Sequence, residues 1–406
     1  MENKLPEGWE IKQLINCVPI IKTGVEKFSG EKPYYSTGSI SDKEIISEGK
    51  FKFENKPARA NRLVLEKDVV QARMKETQKA LLVDKKLAGS LFSTGFLQFR
   101  PDDYGYDSKL FYYYLCSDRF LKQRDEYATG STQVALTDEG AEKIDLVVPP
   151  RECQSRIADK LDSLLAKVKD AQSRLDKIPT ILGRFRKAVL AAVFSGAFIK
   201  SEYEHVEIAN LNIKIQTGPF GSTLHKSDYT DNGIPVINPM HIVDSIIIPS
   251  NKITISKEIF RRLVNYALKE GDIILARRGE MGRCAVVDKN TDGYLCGTGS
   301  LFLRFDMTKI DSHYLQMILS SPPSVNYLND NSVGTTMQNL NQSILKNMSI
   351  PLPALHEQKK VVQKAKILLD VLRDTENRFN GTKNCTDKLE QSILAKAFRG
   401  ELVRQE

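Results

Sequence analysis

Arg277-Arg278-Gly279-Glu280-Met281-Gly282-Arg283 is a basic, glycine-punctuated run directly after the strand-like Gly271-Asp272-Ile273-Ile274-Leu275-Ala276. A guanidinium can grip guanine N7 and O6 with two parallel hydrogen bonds, or hold a phosphate. Arg73 and Lys75 occupy a matching place after Lys67-Asp68-Val69-Val70-Gln71-Ala72, 204 residues earlier. Asn238 lies in a second strand-end loop, where a carboxamide can pair with adenine. Any one of these side chains could be an ordinary solvated group. Two matched loops with the same chemistry point to binding, and the candidate set is Arg73, Lys75, Asn238, Arg277, Arg278 and Arg283.

Catalytic constellations are not evident. The chain has no GxxxxGK[ST] phosphate loop and no HExxH zinc helix. Its five histidines, 205, 225, 241, 313 and 356, are scattered, with no metal-ligand partner at i+4, so no metal site is expected. Ser321-Pro322-Pro323-Ser324 is similar to the Asp/Asn-Pro-Pro-aromatic loop of amino-methyltransferases but lacks the aromatic that would clamp a base, and reads as a helix-ending turn. Gly297-Thr298-Gly299-Ser300 and Thr217-Gly218-Pro219-Phe220-Gly221-Ser222 do not open helices in the dinucleotide pattern. They read as tight turns that allow close backbone approach.

The elements that position these loops come from an internal repeat. After Pro149-Pro150, apolar residues fall at Ile157, Leu161, Leu164, Val168, Ala171, Leu175 and Ile178, alternating in steps of four and three. That is the seam of a coiled-coil helix. The phase continues through Leu182, Phe185, Val189 and Ala192, past Pro179, which should kink or split the helix. At 1.5 Å per residue the run 151–195 would span roughly 65 Å. A second copy begins at Pro353. Adding 204 converts Gln154, Ile157, Leu161, Val168, Phe185, Leu190 and Phe194 into Gln358, Val361, Ala365, Leu372, Leu389, Leu394 and Phe398. Gly381 stands as the helix breaker of that copy. The partner for each seam is therefore in the same chain.

Residues 1–148 read as a mixed, strand-rich domain. Strands are expected at Trp9–Leu14, Tyr34–Gly38, Phe51–Phe53, Arg62–Leu65, Asp68–Val70 and Ser93–Phe99, with an aromatic helix over Leu110–Phe120. Residues 201–352 repeat the plan: Gly334-Thr335-Thr336 and Leu340 match Gly130-Ser131-Thr132 and Leu136, and Tyr314-Leu315 is similar to Tyr114-Leu115. The reading is α+β, with domains at 1–148 and 201–352 alternating with helical regions at 149–200 and 353–406.

The 406 residues carry a formal charge of +8, with 41% hydrophobic and 27% charged side chains. The excess sits in the helices: residues 151–200 hold 11 basic and 5 acidic side chains, whereas 1–150 hold 23 of each. Within the domains, Lys43–Lys75 holds nine basic and five acidic residues and Lys252–Arg283 eight and four. A locally basic face on a near-neutral domain suits a polyanion. Six cysteines without CxxC spacing read as free thiols. No membrane-span run and no signal-peptide core after Met1 are seen, and a cytoplasmic protein is expected.

These features resemble the specificity (S) subunit of Type I restriction-modification systems. The resemblance rests on Leu5-Pro6-Glu7-Gly8-Trp9, on Gly271 to Gly279, on Cys296-Gly297-Thr298-Gly299-Ser300, and on Leu340-Asn341-Gln342 before Pro351-Leu352-Pro353. It implies two target-recognition domains alternating with two long helices packed as an antiparallel coiled coil, an internal pseudo-two-fold repeat. It implies that each domain reads half of a bipartite site in double-stranded DNA, and that the chain has no catalytic centre or cofactor of its own. The implied partners are two methyltransferase (M) subunits that use S-adenosylmethionine, and a nuclease-translocase (R) subunit that can join them. Arg73-Met74-Lys75-Glu76 departs from the Arg-Arg-Gly-Glu run, so the resemblance carries loop detail to the second domain only. A competing class is a coiled-coil scaffold joining two protein-binding domains. It accounts for the helices but leaves the matched basic loops without a role.

Overall fold

The computed structural model describes residues 5–41, 44–131, 134–199, 201–221, 223–332 and 339–403. Lys43, Thr132, Ser222 and Gly334-Thr335-Thr336, used above, lie outside these residues. The chain forms two compact units, Met1–Asp176 with Asn380–Glu406, and Lys177–Phe379. The units cut across the helical regions drawn from sequence, because each takes one half of each long helix.

In the first unit, Phe96–Phe99, Val69–Ala72 and Ala80–Leu82 form an antiparallel sheet in that order. A second sheet orders Gly49–Phe51, Lys32–Tyr35, Leu91–Ser93 and Ala60–Leu63, with Tyr34 and Tyr35 parallel to Leu91 and Phe92. The β-branched pair Val69-Val70 is fully buried, so this strand is core on both faces. Lys67 before it takes a left-handed backbone, φ 67°, and buried Asp68 closes the turn by accepting from the Leu65 amide at 2.8 Å. Glu10–Gln13 pairs with Asp145–Val148, which leads into the first central helix, Arg151–Leu175.

The second unit repeats this frame at nearly constant offset. Ser300–Arg304, Ile273–Ala276 and Cys284–Val286 reproduce the first sheet in the same register, with Lys214–Thr217 added at its edge. The corresponding place in the first unit holds an isolated bridge, Ile20 to Phe99. Val236 and Ile237 run parallel to Leu295 and Cys296, as Tyr34 and Tyr35 do to Leu91 and Phe92. Gly271, φ 87°, takes the place of Lys67, and Asp272 that of Asp68.

Within each unit two helical segments pack antiparallel. In the first, Ile157, Ala158 and Leu161 share a core with Leu394, Ala397 and Phe398 from the end of the terminal helix, Leu355–Phe398. In the second, Val189, Leu190 and Val193 of the second central helix, Ile178–Phe194, share a core with Val361, Val362 and Ala365. Gln154 pins the first helix to its domain: its Oε1 accepts the Asp107 amide at 2.7 Å and its Nε2 donates to the Pro149 carbonyl at 3.0 Å. Gln358 makes the same two bonds, with Asp311 and Pro353, both at 2.8 Å.

Several expectations need correction. The central helix does split near Pro179, but Gly381 breaks nothing, and Leu355–Phe398 is continuous through it. A lone mid-helix glycine costs only about 1 kcal/mol relative to alanine. The seam is buried at its ends, whereas Phe185 and Leu389 are exposed. The aromatic helix is two, Ser108–Cys116 and Asp118–Glu126, because Ser117 ends one and caps the next by accepting from the Phe120 amide. Ser321 also begins a helix, Pro322–Asn331, whose prolines sit in the first turn, where no amide donor is needed. Capping by Asp107 and Asp311 aligns Tyr314 with Leu110, not Tyr114. The hydroxyl of Tyr314 reaches the Pro351 carbonyl, while Tyr106 reaches the equivalent Val147 carbonyl.

Candidate nucleic-acid interface

In the second unit, four loops meet at one end of the central strand Ile273–Ala276. The Arg277 amide donates to the Gly299 carbonyl at 2.9 Å, and Asn238 Oδ1 accepts from the Gly299 amide at 3.4 Å. The Gly297 amide donates to the Ile237 carbonyl at 2.9 Å. A Cβ on Gly218 would lie 2.0 Å from the Gly297 carbonyl oxygen, so a side chain there is excluded and the 217–221 loop is pressed against the 297–299 turn. The glycine-rich runs therefore serve close approach within the chain.

Arg277 is half-buried and fixed. Its Nε donates to the Leu340 carbonyl at 2.9 Å, and its guanidinium carbon lies 4.7 Å from the centroid of the Phe220 ring. Nη1 is buried with no hydrogen-bond partner among the described residues. Burial, then the charge of Arg278, hold its pKa below the usual arginine value. Arg278 is exposed and donates to Asn339 Oδ1 at 2.7 Å. Arg283 forks onto Glu280 at 2.6 and 3.2 Å, with Nη1 3.4 Å from the Pro239 carbonyl. The structure thus brings Asn238, Arg277 and Arg283 into one cluster, with Arg278 adjacent in the chain.

Arg73 occupies the same position in the first unit. Its amide donates to the Gly95 carbonyl, its carbonyl accepts the Leu136 amide, and its Nη1 donates to the Leu136 carbonyl at 3.0 Å. The electrostatics differ, because Arg73 Nη2 also bonds Asp138 at 2.6 Å, whereas position 342, the counterpart of 138, is glutamine. Lys75 is exposed in the next turn, anchored by its amide on the Val134 carbonyl. Near this frame Arg62 is 2% exposed, donates to the Ile21 carbonyl at 2.7 Å, and is drawn down to about 10 by burial and the neighbouring Arg73.

Sequence reasoning missed some of these residues. Phe220 is 45% exposed in the second cluster; its place in a glycine-flanked loop was a usable signal. In the first unit, Phe28 and Phe53 meet edge to face at 5.6 Å, with Lys32 5.3 Å over one ring and Lys56 5.5 Å over the other. They are 25 residues apart, and nothing local signals the pairing. Among the described residues, no group of three or more His, Cys, Asp or Glu could hold a metal ion, and no helix is long and apolar enough to cross a membrane.

Comparison with known proteins decides the family. The profile of the Type I restriction modification DNA specificity domain matches twice, over residues 6–179 and 203–380. The chain belongs to the Type I restriction-modification specificity family. It is 30% identical over 319 residues to the EcoBI specificity subunit of Escherichia coli, covering 74% of this chain and 67% of that protein. It is 31% identical over 271 residues to the StySPI specificity subunit of Salmonella potsdam, covering 64% and 58% respectively. Among solved structures, a chain from a study of type I restriction-modification assembly and conformational transition superposes with a TM-score of 0.81 at 23% identity, over 98% of this chain and 99% of that one. The HsdS subunit of Thermoanaerobacter tengcongensis gives 0.68 at 22% identity, with the same coverage. These structural matches show a shared fold. The two matches correspond to the two copies of the repeated frame, each running into the first part of the long helix that follows it.

Proposed function

We propose that this chain is the DNA-recognition subunit of a Type I restriction-modification complex, with each domain reading one half of a bipartite duplex site. The observation that carries this reading is the repeated arginine. Arg73 and Arg277 are built into the same frame by equivalent leucine carbonyls, those of Leu136 and Leu340, while the residues around them differ. A constant frame with variable loops is what two readers of different sequences require. Arg278 supplies exposed charge for phosphate or guanine, and Arg283, half-buried and paired with Glu280, stands beside it. Arg277 and Asn238 shape the cluster as well as facing it. In the first domain Lys75 is the exposed cation, while Arg73 is already paired.

The chain itself performs no chemical step in this reading. Methyl transfer belongs to two methyltransferase subunits docked on it, with S-adenosylmethionine bound to them, and cleavage to a nuclease-translocase subunit. The long helices set the spacing between half-sites and offer the docking platform. The complex works in the cytoplasm, where its DNA is.

The test is methylation mapping in cells carrying this chain and its methyltransferase partner, paired with salt-dependent duplex binding by the purified complex. A bipartite methylated motif and a steep loss of affinity with salt are expected, because phosphate contacts release counterions. Salt-independent behaviour with no duplex bound would favour a protein scaffold.

A further inference from the structure

Phe220 is a large apolar side chain exposed among arginines, and it belongs to none of the hydrophobic cores of its unit. Its loop is anchored at Gly218 and closed on itself by a turn. The Gly218 amide donates to the Ser300 carbonyl at 3.0 Å, and the Thr223 amide donates to the Phe220 carbonyl at 2.6 Å. One ring face rests near the Arg277 guanidinium, which the Leu340 carbonyl holds in place. Phe220 is therefore a pre-positioned aromatic wedge on a rigid, cationic support.

We propose that Phe220 inserts against the bases at one step of the half-site read by the second domain, partly unstacking the duplex there. The inference rests on the DNA-recognition reading and adds the chemistry of one contact: an aromatic ring against a nucleobase face. Apolar side chains placed at a DNA-binding face commonly act as such wedges. A protein partner would call for a contiguous apolar patch, whereas Phe220 has the guanidinium of Arg277 against its ring. Among the described residues of the first domain, Val25 stands at the equivalent position, and the nearby Phe28 is half-buried against Phe53. After Ile20, which bridges Phe99 as Ile215 pairs with Leu303, the chain reads Ile21-Lys22-Thr23-Gly24-Val25-Glu26, without an aromatic. The distortion should therefore mark one half-site only.

The test uses the full chain assembled with its methyltransferase subunits. Probes are duplexes of the mapped motif carrying 2-aminopurine at successive positions, leaving out the methylated base. Wild type should raise fluorescence at one step in the second half-site. Phe220→Ala and Phe220→Leu should abolish that signal and weaken specific binding about tenfold to a hundredfold, since a stacked base contributes roughly 1–3 kcal/mol. Phe220→Trp should keep both. Non-specific affinity and the salt slope should not change, because no phosphate contact is lost. An unchanged signal in Phe220→Ala, or equal losses in the alanine and tryptophan variants, overturns the proposal. So does a lowered salt slope with no wild-type signal, which would make Phe220 a support for Arg277. Failure of the wild-type complex to bind any duplex would overturn the recognition reading as well, and that outcome is distinct from the others.

Discussion

Leu340 and Arg277 hold each other twice: the leucine amide donates to the arginine carbonyl at 3.0 Å, and Arg277 Nε donates to the leucine carbonyl at 2.9 Å. Leu136 and Arg73 do the same, with Nη1 as the side-chain donor. The arginine at the head of each basic loop is thus a structural tie across 63 residues before it is anything else.

That tie separates two neighbours that look alike in sequence. Arg277→Ala should lower the stability of the second unit by about 1.5–3 kcal/mol, the usual contribution of a hydrogen bond to a charged group. Arg278→Ala should leave stability unchanged and lower the salt slope of DNA binding by about one unit. Denaturant titrations of both variants, beside the salt series, check this. Equal stability losses would show that Arg278 is a frame residue too.

The strands are held by a second repeated pair. Arg304 grips Asp272 with Nε at 2.8 Å and Nη2 at 2.6 Å, and Arg100 grips Asp68 at 2.7 and 3.0 Å. Both aspartates are buried, while both arginines keep about a quarter of their side chains exposed. Asp272→Ala should destabilise the second unit by about 2–4 kcal/mol, somewhat below the 3–5 kcal/mol of a fully buried pair. The double variant Asp272→Ala, Arg304→Met should lose less than the two single losses combined, because no charge is then left behind. Simple additivity in chemical unfolding would rule out the coupling.

The repeat was legible because it lies in runs of types that only one environment tolerates. Asp-Val-Val and Asp-Ile-Ile-Leu after a turn read as core strands, and the seam at 157–168 reads as a helix. The arginines were legible as types but not as contacts. Their acceptors are backbone carbonyls 63 residues away, and a carbonyl has no sequence signature. Gly381 misled because glycine weakens a helix without forbidding it. Ser117 was missed because a cap inside an aromatic run is outweighed by its neighbours. Phe28 with Phe53, and Phe220 with Arg277, are pairings created by loops, where periodicity says nothing.

Acid should loosen the second interface through His241. Its Nδ1 accepts the Asn238 amide at 3.1 Å, so the ring must be neutral with its proton on Nε2. Burial pulls its pKa below the ordinary 6.5. The unfolded chain therefore binds the proton first as pH falls. The stabilising contribution is fully present above pH 6.5 and declines as pH drops through 6.5 toward the folded value. His241→Asn should flatten the stability profile of the second unit between about pH 7 and 5. An identical profile in the variant would remove His241 from the account.

The two units should behave differently when cut from the chain. Lys177–Phe379 is continuous and contains both of its helical segments, with Val189, Leu190 and Val193 packed on Val361, Val362 and Ala365. This fragment should fold as a monomer. Residues 1–200 lose the segment after Asn380 that completes their unit. Ile157 and Leu161 then lose Leu394, Ala397 and Phe398, and Tyr114 loses the Phe398 ring at 5.1 Å. Each large side chain so exposed costs about 1.5–3 kcal/mol. The fragment carries its own replacement, since Leu190, Val193 and Phe194 repeat Leu394, Ala397 and Phe398 at the same offset of 204. Supplied by a second copy, Ile178–Phe194 can fill the groove that 382–398 leaves, and the exchange is reciprocal, giving a closed two-fold dimer. Both reading domains would then be the first, so with the methyltransferase subunits the methylated motif should become an inverted repeat of the first half-site, protein symmetry setting site symmetry. Light scattering at micromolar concentration checks the dimer, and a stable 1–200 monomer would refute the exchange. Methylation mapping checks the motif, and persistence of the second half-site in it would overturn the assignment of one half-site to each domain.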